Sequence, residues 1–424
     1  MSETNRRDFL AAGALGAAAL LAPGGVFGAG DDVIKVGVVG CGGRGTGAAV
    51  NHLQGNKNVK IVAIADVFED RVKSFVNNIK KDKSVGDRLA VTPETMFVGL
   101  DGYQKVLDSG IDLVILATSP GFRPLHLEAA VKAGKHIFCE KPVAVDAAGI
   151  RKVLGLVAES KKKNLAIVAG TQRRHQKGYI DTIRMLQEDK AIGDILSARV
   201  YWNNSGSIWF HPRKEGMSDV AYQISNWYHF NWLCGDHIVE QHVHNLDVAN
   251  WVLGGHPQRA VGMGGRVRPC TDPNVDGQIF DHFAIEYEYN NGLIVQSYCR
   301  QIDNCNPGNI SEVFIGTKGT CYMNDGHYTI NGKEVAKDGQ VDRYVQEHTD
   351  LVKSIRAGKP LNELQQVAES TMTAIMGRMS AYSGQGLTWA QAMKAKQDTM
   401  PANLTLDMKL EVSAVPYPGK TKFA

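Results

Sequence analysis

Val33-Ile34-Lys35-Val36-Gly37-Val38-Val39-Gly40-Cys41-Gly42-Gly43-Arg44-Gly45 decides the fold. Its first seven residues are a near-continuous β-branched run, as expected of a strand buried on both faces. The glycines follow at once, and a small-residue helix through Ala48, Ala49 and Val50 comes next. A second strand, Val59 to Ala65, ends at Asp66, 21 residues after Gly45. This is G-x-G-x-x-G in its strand–turn–helix setting, with an acid at the spacing of a dinucleotide-binding unit. Gly40 permits the tight turn, Gly42 lets a pyrophosphate approach the backbone, and Gly45 lets helix and strand close. Gly43 and Arg44 complete the turn. The helix N-terminus offers amide donors and a positive dipole end to phosphates. Asp66 can accept from both ribose hydroxyls and would repel a 2′-phosphate, so NAD is favoured over NADP.

Strand and helix keep alternating downstream. Ile111 to Thr118 reads as a buried strand ending in Ser119-Pro120, and a helix from about Arg123 to Ala133 carries His126. His136–Cys139 is the next strand and ends in Glu140-Lys141-Pro142. Polar groups thus gather at the carboxyl ends of strands, where open α/β sheets bind ligands. Thr118, Ser119, His126, Glu140, Lys141 and Pro142 join Gly40, Gly42, Gly43, Arg44, Gly45 and Asp66 as the candidate cofactor-binding set. Asp146 can cap a helix running to about Lys163, and Leu165–Gly170 is a further strand.

Composition bounds the function. The 424 residues are 43% hydrophobic, 21% charged and 8% aromatic, an ordinary globular balance that excludes wholesale disorder. A net charge of +3 gives no electrostatic case for nucleic acid or an anionic membrane. Seven dispersed cysteines without C-x-x-C cannot form a complete disulfide framework or a zinc ribbon. Cys41 and Cys139 read as small core residues. Residues 1–30 read as an address: Arg6-Arg7 precede a twelve-residue apolar run, Ala11 to Ala22, and small residues follow at Gly28-Ala29-Gly30. The run is too short to span a bilayer, which needs about 20 residues. The pattern resembles a twin-arginine (Tat) export signal, implying a periplasmic or otherwise exported protein carried across already folded.

Four segments in order, Gly40–Gly45, Ala133–Pro142 (AGKHIFCEKP), Gly170–Arg174 (GTQRR) and Glu240–Gly254 (EQHVHNLDVANWVLG), resemble the Gfo/Idh/MocA oxidoreductase family. The resemblance covers about residues 33–390. It implies an α/β protein: an N-terminal Rossmann domain, a C-terminal α/β domain with a large open, mostly antiparallel sheet, a nicotinamide cofactor, and a sugar, polyol or glycoside substrate. It makes Lys141 the lysine beside the nicotinamide, with Pro142 after a cis bond. His244 falls on the proton-transferring histidine and Asp247 on the aspartate one turn later. Family members carry an aspartate four residues before that histidine, whereas Glu240 stands here, keeping the carboxylate on a longer arm. The domain expectation is 31–165 for NAD binding, 166–395 for substrate binding and oligomerisation, and 396–424 as an extended arm. A late helix near 364–382 is expected to pack back on the first domain.

The residue chemistry agrees. Hydride removal from a secondary alcohol needs a base for the hydroxyl proton, and an imidazole titrating near 6.5 suits that task. An adjacent ammonium stabilises a developing alkoxide. Asp247, three residues after His244 on a predicted helix, is placed to orient the imidazole. His237, Glu240 and His244 would share one helical face, spacing that a divalent metal could use, but a polar pocket wall is the better reading and no metal is assigned. Four tryptophans, Trp202, Trp209, Trp227 and Trp232, fall within 31 residues among other aromatic and polar side chains. They suit either sugar rings or a subunit interface. Arg173, Trp209, Tyr228, Glu240 and His242 are the candidate substrate-binding residues. Asp281–Tyr289 alternates with period two and turns through Asn290-Asn291-Gly292 into Leu293–Tyr298, a hairpin. More strands are expected near 313–315, 320–323 and 328–330, and helices near 342–356 and 364–382. The functional expectation is an exported NAD-dependent oxidoreductase of a carbohydrate hydroxyl, C3 by family precedent, acting as a homo-oligomer (dimer or tetramer). The alternatives are a redox-neutral glycosidase or a hydride shuttle between two sugars with retained NAD, and, without turnover, a ligand sensor.

Overall fold

The computed structural model describes residues 32–206 and 208–422. The twin-arginine segment lies outside them. Six parallel strands form the first sheet: β1 (Ile34–Val39), β2 (Val59–Asp66), β3 (Met96–Val98), β4 (Leu113–Leu116), β5 (His136–Cys139) and β6 (Ile167–Ala169), in the order β3-β2-β1-β4-β5-β6. Helix α1 (Gly43–Gly55) follows β1 directly. The order reverses between β1 and β4, so the turn after β1 and the end of β4 flank a crevice at the sheet's carboxyl edge. Strands β4 and β6 are buried at every position and β5 at all but its first, as their unbroken apolar runs require. The inclusion of β6 moves the first domain's boundary past Ala169, beyond the expected residue 165.

The second sheet has nine strands: β7 (Ile195–Asn204), β8 (Arg259–Gly265), β9 (His282–Glu288), β10 (Ile294–Gln301), β11 (Asn309–Gly316), β12 (Gly319–Asn324), β13 (His327–Ile330), β14 (Lys333–Ala336) and β15 (Leu387–Thr388). Their order is β14-β13-β12-β11-β7-β10-β9-β8-β15, antiparallel throughout except for the parallel pair β7/β10. The expected hairpin is β9–β10, with Ile285 opposite Ser297. One face of this sheet packs against α2 (Val243–Leu253) and α4 (Leu364–Ser383) through Tyr287, Ile285, Val200 and Phe314. Helix α4 also packs on Ala147–Gly155, whose cap is Asp146 accepting from Gly149 N at 2.7 Å. That helix stops at Gly155, and a separate one covers Val157–Lys162. The element that returns to the phosphate-turn helix is α3 (Arg343–Arg356), packed on α1. Beyond Ala395 the described residues form no helix or strand and lie across the second domain.

Candidate active site

The phosphate turn is built by glycine. Gly40 has φ +98°, and a Cβ there would meet the Ala117 carbonyl carbon at 2.6 Å. A Cβ on Gly45 would sit 1.7 Å from the Gly40 oxygen, so strand and helix close only on hydrogen. Gly42 and Gly43 face open space, with no atom within 4 Å of where a Cβ would stand. Gly42 caps α1 without a side-chain acceptor, and no acid stands in the first turn. The amide donors and positive helix end are therefore available to a pyrophosphate. Asp66 is held from the backbone: Cys41 N donates to one carboxylate oxygen at 2.7 Å and Phe68 N to the other at 3.0 Å. Burial pushes its pKa up against those two bonds. A narrow cleft adjoins it, lined by Tyr103, Thr118, Phe122 and His126 among others. His126 Nδ1 lies 3.2 Å from Thr118 Oγ1, and its ring packs on Tyr103 and Phe122. Burial and the Arg123 charge lower His126 to about 3, so it lines the cleft as a neutral ring. Ser119 begins the short helical turn after β4. A dinucleotide fits this donor set: the glycine turn would hold its phosphates and Asp66 its ribose hydroxyls.

Arg44 joins three segments. Its Nε donates to Glu140 at the end of β5, its second nitrogen lies 3.2 Å from Glu347 on α3, and its guanidinium lies 4.9 Å from the Tyr344 ring centre. Gly170 makes room for Glu140, since a Cβ there would lie 2.4 Å from the Glu140 carboxylate. Sequence reasoning missed Glu347 and Tyr344, which are remote in sequence yet touch the turn. The signal was a charged residue in register with Leu351 on the apolar face of the predicted helix.

Lys141 follows a strand end and precedes a cis peptide to Pro142. Its ammonium donates to Glu240 Oε1 at 2.8 Å and to the Glu240 carbonyl at 2.6 Å, and both side chains are only 9% exposed. Glu240 stands in a π-helical turn, Ile238–His242, that runs into α2. Such turns shift the hydrogen-bond register, and here a carbonyl within the turn serves Lys141. Burial raises the Glu240 pKa and the Lys141 charge opposes the rise. His244, on the first turn of α2, is 6% exposed and stacks on Trp202 with 5.7 Å between ring centres. Burial first, then the cations Lys141, Arg173 and Arg44, hold its pKa well below the ordinary histidine range. A neutral imidazole thus lies within the field of a fixed ammonium.

The π turn also breaks the expected shared face. His237 Nδ1 pairs with Tyr228 OH at 3.1 Å, and the Tyr228 hydroxyl also reaches Gln301 Oε1 at 3.4 Å. Among the described residues no three His, Cys, Asp or Glu side chains are grouped to hold a metal.

Three expected roles are corrected. Asp247 does not touch His244: its carboxylate takes Arg174 Nε and NH2 at 2.8 and 2.9 Å and Ser370 Oγ at 2.7 Å, because one turn of helix points it to the α4 side. His242 is fully buried and pairs with Ser297 Oγ at 2.8 Å in β10. Arg173 is spent on Glu312 at 2.6 Å, a carboxylate that also accepts from Tyr179 and Asn245, so only its charge acts on His244. The aromatic cluster is mostly interior: Tyr222, Phe230 and Trp232 are core. Trp209, 44% exposed, is its open face and rests on Trp227 and Tyr228.

Two comparisons of sequence and one of structure agree with this geometry. Residues 34–168 match the GFO/IDH/MocA oxidoreductase family, NAD-binding Rossmann fold, and residues 180–322 match the GFO/IDH/MocA C-terminal domain. The chain is 27% identical to inositol 2-dehydrogenase of Klebsiella pneumoniae over 62% of its own length and 66% of that protein. It is 28% identical to inositol 2-dehydrogenase 1 of Saccharopolyspora erythraea, over 50% of itself and 57% of the relative. The aligned region thus spans about half to two thirds of these curated relatives. Among solved structures, scyllo-inositol dehydrogenase of Lactobacillus casei with bound NAD(H) and scyllo-inositol superposes with a TM-score of 0.63 at 18% identity, covering 85% of this chain and 100% of that one. Aldose-aldose oxidoreductase of Caulobacter crescentus, complexed with glycerol, superposes with a TM-score of 0.64 at 16% identity, covering 84% and 99%. These likenesses establish the fold. The chain belongs to the Gfo/Idh/MocA family of oxidoreductases, and its first domain is that family's NAD-binding Rossmann fold.

Proposed function

We propose that this protein is an NAD-dependent dehydrogenase that oxidises a secondary hydroxyl of a polyol or sugar ring, with C3 the first ring position to test. One observation carries the reading: Lys141, fixed by two Glu240 oxygens, is the first of the cations whose charge, after burial, holds the His244 imidazole well below its ordinary pKa. NAD, when bound, supplies the hydride acceptor. His244 accepts the hydroxyl proton, which a neutral imidazole can do and an imidazolium cannot. The Lys141 ammonium stabilises the negative charge that develops on the substrate oxygen. Glu240 orients that ammonium, and the Trp202 ring restrains the imidazole. Trp209, 44% exposed, offers an apolar face suited to ring C–H groups. The inositol dehydrogenase relatives support a polyol or sugar as substrate.

A second reading, a redox-neutral glycosidase with retained NAD, draws on the buried Tyr228–His237 pair as another proton-handling group. The two separate in one assay: near-ultraviolet absorbance with excess NAD across polyols, sugars and aryl glycosides. A continuing rise supports the dehydrogenase. A signal of one equivalent or less, with aglycone released, overturns it in favour of the glycosidase.

We further propose export through the twin-arginine segment and assembly as a homo-oligomer through the outer face of the nine-stranded sheet. Register aligns Met263, Ala284, Tyr298 and Tyr201 on that face, where Met263 is 72% exposed and the two tyrosines stack. An uncovered apolar row on an open sheet favours a second copy.

A further inference from the structure

Away from the Lys141–His244 centre, the last stretch of the chain forms a strap across the second domain. It is fastened at intervals. Thr399 donates through its amide and hydroxyl to Asp146 at 2.7 and 2.6 Å, Gln223 Nε2 donates to the Leu410 carbonyl at 2.7 Å, Val412 N donates to Asn274 Oδ1 at 2.9 Å, and Gly419 N to the Ser383 carbonyl at 2.8 Å. Between these points the strap does not close on the surface below. It borders two adjoining, half-open cavities of about 190 and about 340 Å³, which share Asn231, Gln278, Gln397 and Ser413 in their walls. The larger cavity alone reaches the range of small-molecule sites, about 300–1,000 Å³, and the smaller extends it.

The lining names the class of ligand. Its polar groups are mainly amides and hydroxyls, and the aromatic residues Trp232 and Tyr382 stand in the walls. Gln278 is 5% exposed, lines both cavities, and has an amide oxygen with no hydrogen-bond partner. Buried polar atoms are rarely left so. Of the neighbouring cations, Arg378 donates to the Val145 carbonyl, Asn231 Oδ1 and the Gly235 carbonyl, and Lys420, in the wall of the larger cavity, lies over the Tyr417 ring of the same wall at 4.5 Å. Glu411 adds a negative charge to one wall, which disfavours an anion further. Neutral donors and acceptors beside aromatic faces match a polyhydroxylated ring, with hydroxyls at its edge and C–H groups on its face.

We propose that the hollow beneath the C-terminal strap is a second binding site, separate from the reacting centre, for a neutral saccharide or polyol of one or two rings. The assignment rests on this lining alone and stands whether or not the reaction proposed above is correct. Amide hydrogen exchange of the full chain, loaded with NAD, tests it with glucose, myo-inositol and maltose added singly. At least one probe slows exchange severalfold in the strap, residues 396–421. Gln278→Met, which removes the amide at similar volume, and Ser413→Phe, which fills the hollow from the strap side, each abolish that slowing. Both variants retain any slowing over 238–247, which reports the reacting centre. Strap exchange unchanged by all three probes overturns the proposal, as does full slowing retained in both variants.

Discussion

The Lys141 ammonium is bound twice by one residue, 2.8 Å from the Glu240 carboxylate and 2.6 Å from the Glu240 carbonyl. The double contact fixes the cation in two directions and makes the π turn part of the reacting centre. Neutralising the carboxylate removes one hold and keeps the other. Glu240→Gln is therefore expected to lower kcat by about 10-fold to 100-fold, a share of what a positioned proton-handling group supplies, with KM changed far less. Steady-state kinetics on the best polyol read both constants. A KM rise with kcat intact would make Glu240 a substrate contact instead.

In the proposed reaction His244 sets the acid side of the pH profile. Its folded pKa is depressed by burial and by Lys141, so it stays neutral and able to accept a proton at pH values where a free imidazole is half charged. The acid limb of kcat/KM is expected below about pH 6.5. Removing the nearest cation with Lys141→Met should move that limb upward in whatever activity remains. A limb that stays in place would assign it to another group.

Acid stability carries a separate signature. His52, His126 and His242 are buried and depressed to about 3. The unfolded chain binds protons below about pH 6.5 that the folded chain refuses, so their contribution is complete above that pH and is lost as pH falls towards about 3. Each group costs roughly 2 kcal/mol between pH 6.5 and 5. Buried groups with raised pKa values, Asp236 and His175 among them, oppose this loss, so the clean readout is a single variant: His126→Phe should change the urea-unfolding difference between pH 7 and pH 5 by roughly 2 kcal/mol in the direction of greater acid stability. A pH difference identical to wild type would contradict this.

Asp247 offers the opposite contrast. Its buried, bidentate pair with Arg174 makes it structural, so Asp247→Asn should cost about 3–5 kcal/mol of stability while the acid limb of kcat/KM stays where it is. A shifted limb at unchanged stability would restore the imidazole-orienting role.

Much of this is legible in the sequence because it is local. Gly40 to Gly45 and Asp66 specify their turn within one βαβ unit, Asp146 caps its own helix, and the β9–β10 hairpin is written in its alternation. What stays hidden depends on distant partners. Helical spacing sets Asp247 against His244 on its own helix, but its partner Arg174 lies 73 residues earlier. Glu347 reaches Arg44 across 303 residues. The π turn defeats any reading at 3.6 residues per turn, and for that reason the sequence pattern sets His237, Glu240 and His244 on one face. Closeness in sequence groups the aromatic residues of this region as one surface for sugar rings or for a subunit, yet Tyr201 and Trp202 lie on opposite faces of a central strand.

The most direct test of the account is single-turnover reduction of NAD, followed by near-ultraviolet absorbance, with a polyol substrate and the wild type, Lys141→Met and His244→Ala proteins. The account expects one equivalent of NADH from the wild type and a rate lowered by about 10²–10⁴ in each variant. Equal rates in all three proteins would contradict it.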